Sequence, residues 1–238
     1  MDVNGDTVVK DYLQSLSQLC FTVSQQAIKE AVEIVYDVWR KGGTVFTMGN
    51  GGSASTAAHL ASDLAKYAIV PGRRRLKAMS LGDNIPLVSA WTNDAGFSSI
   101  FAEQLEPWLR EGDALVAISV HGGSGGSDAG PWSQNLLRAV ALARERGAKV
   151  IGLSGFDGGA LQEVADVCVV APATSEPMGT PLVESFHVAI HHLICLALKL
   201  RIMQAPPDGN ACEPPPRRVA SGDSRLVGAG LEKEDGHV

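Results

Sequence analysis

Short apolar segments that alternate with helical segments constrain the fold of this chain more than any other feature of its sequence. Helices are expected between most of these segments, and this alternation predicts a parallel sheet covered by helices on both faces. The predicted fold class is therefore α/β, a three-layer α/β/α sandwich. The predicted buried strands span residues 44–48, 77–81, 114–119, 149–154 and 166–172.

The helical segments are recognised by apolar residues that recur every three or four positions. This pattern covers residues 7–41, so we predict one N-terminal helix that ends at Gly42 and Gly43. Segment 86–91 is apolar and short, and it fits either a helix or a strand. Further helices are predicted to residue 67 after the first glycine-rich turn, over 133–146 and over 181–202.

Composition limits the class of protein and its partners. The 238 residues are 45% hydrophobic with a formal net charge of −6, which is typical of a globular protein and does not indicate a nucleic-acid partner. The four cysteines form no CxxC pair, so we expect reduced thiols and a cytoplasmic protein. The longest apolar stretch, 188–200, contains two histidines and a lysine, and no membrane span is expected.

Composition also divides the chain into three regions. We expect residues 1–42 to form a helical N-terminal segment and residues 43–203 to form the α/β core. Residues 204–238 are rich in proline, glycine and charge, which predicts a disordered tail.

Two turns rich in glycine and serine follow predicted strands and lead into helices. Parallel strands place their carboxyl ends at one edge of the sheet, where glycine backbone, serine hydroxyls and helix N-termini together suit a phosphate. The same residues are also common in plain strand-to-helix turns. Neither turn matches a dinucleotide or Walker pattern, so we expect a small sugar phosphate. The candidate residues are Asn50, Gly51, Gly52 and Ser53 in the first turn, and Ser119, Val120, His121, Ser124 and Ser133 in the second.

Two helical segments each carry a histidine and a carboxylate on one face. His59 and Asp63 are four residues apart, and Glu184 and His192 are eight residues apart. Two imidazoles and two carboxylates suit a divalent metal such as zinc, and they also suit an acid–base pair without metal. Chance pairing on a solvated helix gives the same spacing, and Glu184 could simply cap its helix. Spacing does not choose among the three histidines of the last helix.

The tripeptide Thr92-Asn93-Asp94 is a further candidate. It follows the apolar segment 86–91 and precedes Ala-Gly-Phe. Asn93 and Asp94 either orient sugar hydroxyls or form an Asx-type turn.

In combination, these motifs resemble the sugar isomerase (SIS) domain and, within it, the phosphoheptose isomerases. The resemblance spans about residues 5–202 and includes GNGGSA, TND, the serine turn after AIS, and GLSGFDGG. It implies a flavodoxin-like fold in a homotetramer, with residues 1–42 packing in the oligomer and active sites between subunits. It also implies the isomerisation of sedoheptulose 7-phosphate to glycero-manno-heptose 7-phosphate through an enediol.

The resemblance also assigns roles to residues. It implies zinc ligands at His59, Asp63, Glu184 and His192, and it thereby chooses His192 among the three histidines of the last helix. Asp63 is expected to be the base and His192 the acid. The implied substrate contacts are Asn50, Gly51, Gly52, Ser53, Asp63, Asn93, Asp94, Ser119, Val120, His121, Ser124, Ser133 and Glu184.

Two acidic positions depart from the family pattern. Asp63 stands where the family has glutamate, and Glu184 stands where it has glutamine. The shorter Asp63 side chain reaches less far toward a substrate carbon. Glu184 is therefore a second candidate for the base.

The second turn departs as well, because Val120 and His121 replace hydroxyl residues and the turn is longer. His121 is expected to donate a charge-assisted hydrogen bond or to serve as an acid–base group. Of the two later serines, Ser133 is preferred to Ser124 because it begins a helix. Two alternatives remain: an isomerase for a different phosphosugar, and a non-catalytic SIS protein that acts as a regulator or assembly factor.

Overall fold

The computed structural model of the chain describes residues 5–123, 133–173 and 176–206. Its five strands form one parallel sheet in the order β2-β1-β3-β4-β5, which is the flavodoxin-like order. The predicted α/β class with a parallel sheet is confirmed. The strands are β1 (Thr44–Gly49), β2 (Lys77–Ser80), β3 (Ala114–Ile118), β4 (Lys149–Gly155) and β5 (Val167–Ala171).

Helices cover both faces of this sheet. Segment 86–91, which fitted either a helix or a strand, is helical and lies within α4. The six-residue helices α5 and α7 were not predicted, because so short a segment shows no clear periodicity. The α-helices of the described part are α1 (Gly5–Thr22), α2 (Gln25–Lys41), α3 (Gly52–Lys66), α4 (Ile85–Ala95), α5 (Ile100–Leu105), α6 (Gln134–Glu145), α7 (Gly159–Val164) and α8 (Gly179–Gln204).

The prediction of one helix over residues 7–41 is wrong, because the chain turns between α1 and α2. The Ser24 side chain accepts a hydrogen bond from the backbone N–H of Ala27 at 3.1 Å and caps the start of α2. The end at Gly42 is as predicted, and Gly42 has the left-handed φ of 73° that favours glycine there.

Two apolar layers hold the helices to the sheet. Alternate side chains of one strand point to opposite layers, as Val45 and Phe46 of β1 do. Helices α2, α3 and α8 pack in the layer that contains Val45, and α5 and α6 pack in the layer that contains Phe46. The predicted three-layer sandwich is therefore confirmed.

Helix α8 is the longest helix of the described residues and packs against both α2 and α3. Its length and a mean hydropathy of 1.4 would allow it to cross a membrane, but 50% of its most apolar stretch is buried inside the fold. A buried core helix has the same properties, so α8 is read as part of the core. Residues 207–238 lie outside the described ranges, and the predicted tail stays a prediction.

Candidate active site

A cavity, called the cradle below, lies where the neighbouring strands β1 and β3 end. The cavity has a volume of about 260 Å³. Helix α3 begins at its floor, so free backbone N–H groups of the first helical turn lie at its edge. The cradle is lined by residues 50–53, 118–121, 123, 133 and 184. Most of the predicted substrate residues therefore lie together.

The backbone at Gly51 and the neighbours of Gly52 both favour glycine in the first turn. Gly51 has a φ of 56° and a ψ of −127°, a conformation that side chains other than glycine rarely adopt. At Gly52, a Cβ atom would collide with the carboxylate of Glu184. Glu184 therefore reaches the start of α3 from α8, and its carboxylate forms part of the cradle.

An amide pair ties the two turns together. The Asn50 side chain donates to Oδ1 of Asn135 at 3.0 Å, and Asn135 donates to Oδ1 of Asn50 at 2.8 Å. Asn135 is only 1% exposed. The sequence did not identify Asn135 as a site residue. Its only signal was its position at the start of the helix that follows the second glycine-rich turn.

The second turn presents a mixed set of side chains to the cradle. Ser119 is buried, and Ser133 begins α6 with a left-handed φ of 57°. His121 is exposed and stacks on Phe156, with ring centroids 4.5 Å apart and an angle of 22° between the planes. Ser124 lies outside the described residues.

A cluster of three imidazoles surrounds one carboxylate. Oδ2 of Asp63 lies 3.7 Å from Nε2 of His59, 3.4 Å from Nε2 of His191 and 3.5 Å from Nε2 of His192. These four residues, called the His/Asp cluster below, offer ligand atoms that all lie within 4.8 Å of one another. Neutral imidazoles and a carboxylate are ligands that zinc and related divalent metals accept, so these side chains fit a metal ion.

Glu184, expected as the fourth ligand, is not a member of this cluster. It precedes His192 by eight residues, which is about 12 Å of helix, and its carboxylate lies against Gly52 instead. His191, one residue before His192, joins the cluster in its place. Sequence spacing could not show this, because it gives no information on how far α8 is displaced along α3.

Burial sets the protonation state of His191. The residue is 0% exposed, and burial together with the neighbouring imidazoles of His192 and His59 lowers its pKa to about 4. The carboxylate of Asp63 opposes this shift but does not cancel it. The His191 ring is therefore neutral near pH 7.

Asn93 and Asp94 are not brought to the cradle within one chain. Both are exposed on α4, where the Asn93 side chain donates to Oδ1 of Asp94 at 2.7 Å. No residue of α4 is buried, since α4 packs on the outside of α5.

Comparisons with known proteins agree with this geometry. A model of the SIS domain family matches residues 10–155. The lincomycin biosynthesis protein LmbN of Streptomyces lincolnensis is 49% identical over 191 residues, covering 80% of this chain and 68% of the relative. A phosphoheptose isomerase of Rhodospirillum rubrum is 41% identical over 170 residues, covering 71% and 82%. The structure of a phosphoheptose isomerase from Francisella tularensis superposes with a TM-score of 0.70 at 28% identity, covering 82% and 96%.

Proposed function

This chain belongs to the SIS domain family, and on that basis we propose that it is an aldose–ketose isomerase that converts sedoheptulose 7-phosphate to D-glycero-D-manno-heptose 7-phosphate. The observation that carries the proposal is the arrangement along α3. Its N-terminus at Gly52 forms a cradle suited to phosphate, and His59 and Asp63 follow on the same helix. Recognition of the phosphate and transfer of the proton would thus both depend on residues of helix α3.

The reaction moves a proton between C1 and C2 of the sugar through an enediol. It requires a base for the carbon-bound proton and an acid for the sugar oxygens. We assign the base to the carboxylate of Asp63 and the acid to the imidazole of His192. The two groups lie 3.5 Å apart, so both can reach neighbouring atoms of one substrate. Glu184, in the cradle, is the second candidate for the base.

We propose that the enzyme uses zinc held at the His/Asp cluster by His59, Asp63 and His192. A bound divalent metal would stabilise the negative charge that develops on the enediolate oxygens. His59, Asp63 and His192 supply ligand atoms of the kinds that zinc prefers. Without metal, the same side chains would still hold and transfer protons.

We also propose a homotetramer with active sites between subunits. The support is that α4 buries none of its residues in its own chain. Ile85 is 67% exposed, and Asn93 and Asp94 lie on the same helix. A neighbouring subunit that packs on α4 would cover Ile85 and could bring this Asn-Asp pair to its own cradle.

The test is an NMR or coupled assay with a panel of C5 to C7 ketose phosphates, with and without added zinc. We expect turnover of sedoheptulose 7-phosphate and a fall in kcat of at least about 10²-fold for Asp63→Asn and for His192→Gln, since a general acid or base typically contributes that much. Asp37→Asn, on an exposed surface pair with Arg40, is the matched control and keeps its kcat. Near-normal kcat in both site variants excludes the assignment.

A second candidate is an isomerase for a different phosphosugar. It is favoured by the identity to a lincomycin biosynthesis protein and by Val120 and His121 in the cradle. The same panel decides, because the preferred sugar has the highest kcat/KM. A non-catalytic binding protein turns over no sugar in the panel, and it would have no need of the His/Asp cluster.

A further inference from the structure

We propose that His121, stacked on Phe156, supplies the positive charge that binds the substrate phosphate in the cradle, and that Phe156 is a positioning residue for this imidazole. The inference rests on the proposed function, because it concerns the phosphate group of the same substrate. Two roles were expected for His121, a charge-assisted hydrogen-bond donor and an acid–base group, and the inference favours the first.

The charges that line the cradle are the first argument. Among its described lining residues, Glu184 is the only acid and His121 is the only side chain that can carry a positive charge. Residues 124–132 lie outside the described ranges, and their sequence contains no lysine or arginine. A phosphate monoester carries about 1.5 to 2 negative charges near pH 7, and the carboxylate of Glu184 repels it. Within one chain, the cradle therefore depends on the His121 imidazolium for a compensating charge.

The positions of these two charges divide the cradle. The carboxylate of Glu184 lies against Gly52, in the first turn and at the start of α3. His121 lies in the second turn, and the hydroxyl residues Ser119 and Ser133 line the same cradle. Attraction to His121 and repulsion by Glu184 both favour a phosphate bound at the second turn. The end of the cradle at Glu184 is then left for sugar hydroxyls, which can donate hydrogen bonds to the carboxylate.

Stacking on Phe156 orders the exposed ring of His121. The ring centroids lie 4.5 Å apart and the planes differ by 22°, so the two rings are nearly parallel. The nitrogens of an imidazole donate in the plane of the ring, and a stack that covers one face leaves them accessible. The face of a phenyl ring is partly negative, which favours a positive charge on the imidazole beside it. The stack therefore reduces the entropy that an exposed imidazole would lose on binding phosphate.

Phe156 is itself held in an unfavourable backbone conformation. Its φ of 54° is left-handed, which a bulky side chain rarely adopts. Its N–H donates to the backbone oxygen of Ala171 at 3.0 Å, and its ring occupies the space that a Cβ at Gly179 would need. The other non-glycine residue with a positive φ in the described part of the chain is Ser133, which lines the cradle. Such conformations persist where the surrounding structure enforces them, and they cluster at ligand sites. Both positions therefore indicate a ligand at the second turn.

Phosphate affinity tests the charge of His121 independently of catalysis. Inorganic phosphate is titrated into the full-length protein by calorimetry. We expect His121→Gln to raise the Kd at least about tenfold, because charge-assisted hydrogen bonds are about twice as strong as neutral ones. His121→Lys keeps the positive charge and should stay within about threefold of wild type. Arg40→Gln is the matched control, since it removes a positive charge from an exposed pair near the start of β1, at the edge of the sheet opposite to the cradle. Its Kd should not change.

Three outcomes of this titration overturn the proposal. They are an unchanged Kd in His121→Gln, a His121→Lys variant that binds no better than His121→Gln, and a wild-type protein that binds no inorganic phosphate. The sugar panel, run on the same samples, separates the two roles of His121. Loss of a phosphate contact should raise KM about tenfold and keep kcat within about threefold, whereas loss of an acid–base group would lower kcat at least about 10²-fold and overturn the choice of role. Phosphate binding without turnover of any sugar would contradict the proposed function alone.

A double-mutant cycle tests the positioning role of Phe156. Phe156→Leu keeps an apolar side chain but removes the planar ring on which the imidazole stacks. We expect it to raise the Kd for inorganic phosphate about threefold when residue 121 is histidine, and to have no effect in His121→Lys, whose charge does not depend on the stack. Phe156→Tyr keeps the ring and should bind phosphate like wild type. Equal losses from Phe156→Leu in both backgrounds, or a loss in Phe156→Tyr as large as in Phe156→Leu, overturn this role.

Discussion

At the scale of single residues, Gly52 connects the cradle to α8. The Glu184 carboxylate occupies the space that a Cβ at position 52 would need. Gly52→Ala should therefore push this flexible side chain aside and disturb substrate contacts, while the helix itself gains a better helix former. We expect KM to rise about tenfold, a cost of about 1.4 kcal/mol in binding, without a loss of stability in urea.

Gly82→Ala is the control for this substitution. Its new Cβ would have Ser80 Oγ, 3.9 Å away, as its nearest neighbour, and Gly82 has no positive φ. KM should not change there. An unchanged KM in Gly52→Ala would show that the position of Glu184 does not matter for substrate binding.

Sequence spacing predicted part of the site and missed the rest for a physical reason. The four-residue spacing identified His59 and Asp63, the family resemblance identified His192, and the structure brings these three together. Spacing left the three histidines of α8 open, because spacing within one helix does not reveal the depth of burial or the alignment with a second helix. Asn135 was missed because its partner is 85 residues away in sequence.

At the scale of elements, the fold was largely predictable. The apolar strands and the longer helices α3, α6 and α8 follow from composition and periodicity, which are local properties. The break between α1 and α2 could not be predicted in this way, because the apolar pattern continues through it and only Ser24 marks the start of a new helix.

This cap gives a prediction about stability. Ser24→Ala removes the acceptor for the Ala27 N–H and should lower the free energy of unfolding by about 1 kcal/mol. Urea unfolding followed by circular dichroism measures the difference. Ser24→Asp keeps a side-chain acceptor and should unfold like wild type. Equal stability of Ser24→Ala and Ser24→Asp would contradict the prediction, because it would mean that solvent or another group accepts the hydrogen bond from the Ala27 N–H.

At the scale of the whole molecule, large apolar side chains remain exposed on three helices. Besides Ile85 on α4, they include Val9 and Leu13 on α1 and Leu200 on α8, each at least 49% exposed. Exposed apolar surface that recurs on several elements is typical of an interface between subunits. The exposed side chains thus favour an oligomer, which is the state proposed for the active enzyme.

Ile85→Glu tests this assembly, because it places a charge where α4 would meet a neighbouring subunit. We expect light scattering after size exclusion to show a lower mass than wild type, approaching the 25.0 kDa of one chain, since a buried unpaired charge is costly. Activity should fall with the mass, because Asn93 and Asp94 of the same helix would no longer reach a partner's cradle. Ala141→Glu, on the exposed side of α6, adds the same charge and should change neither quantity. A wild-type protein that is already monomeric and active would remove the role proposed for α4.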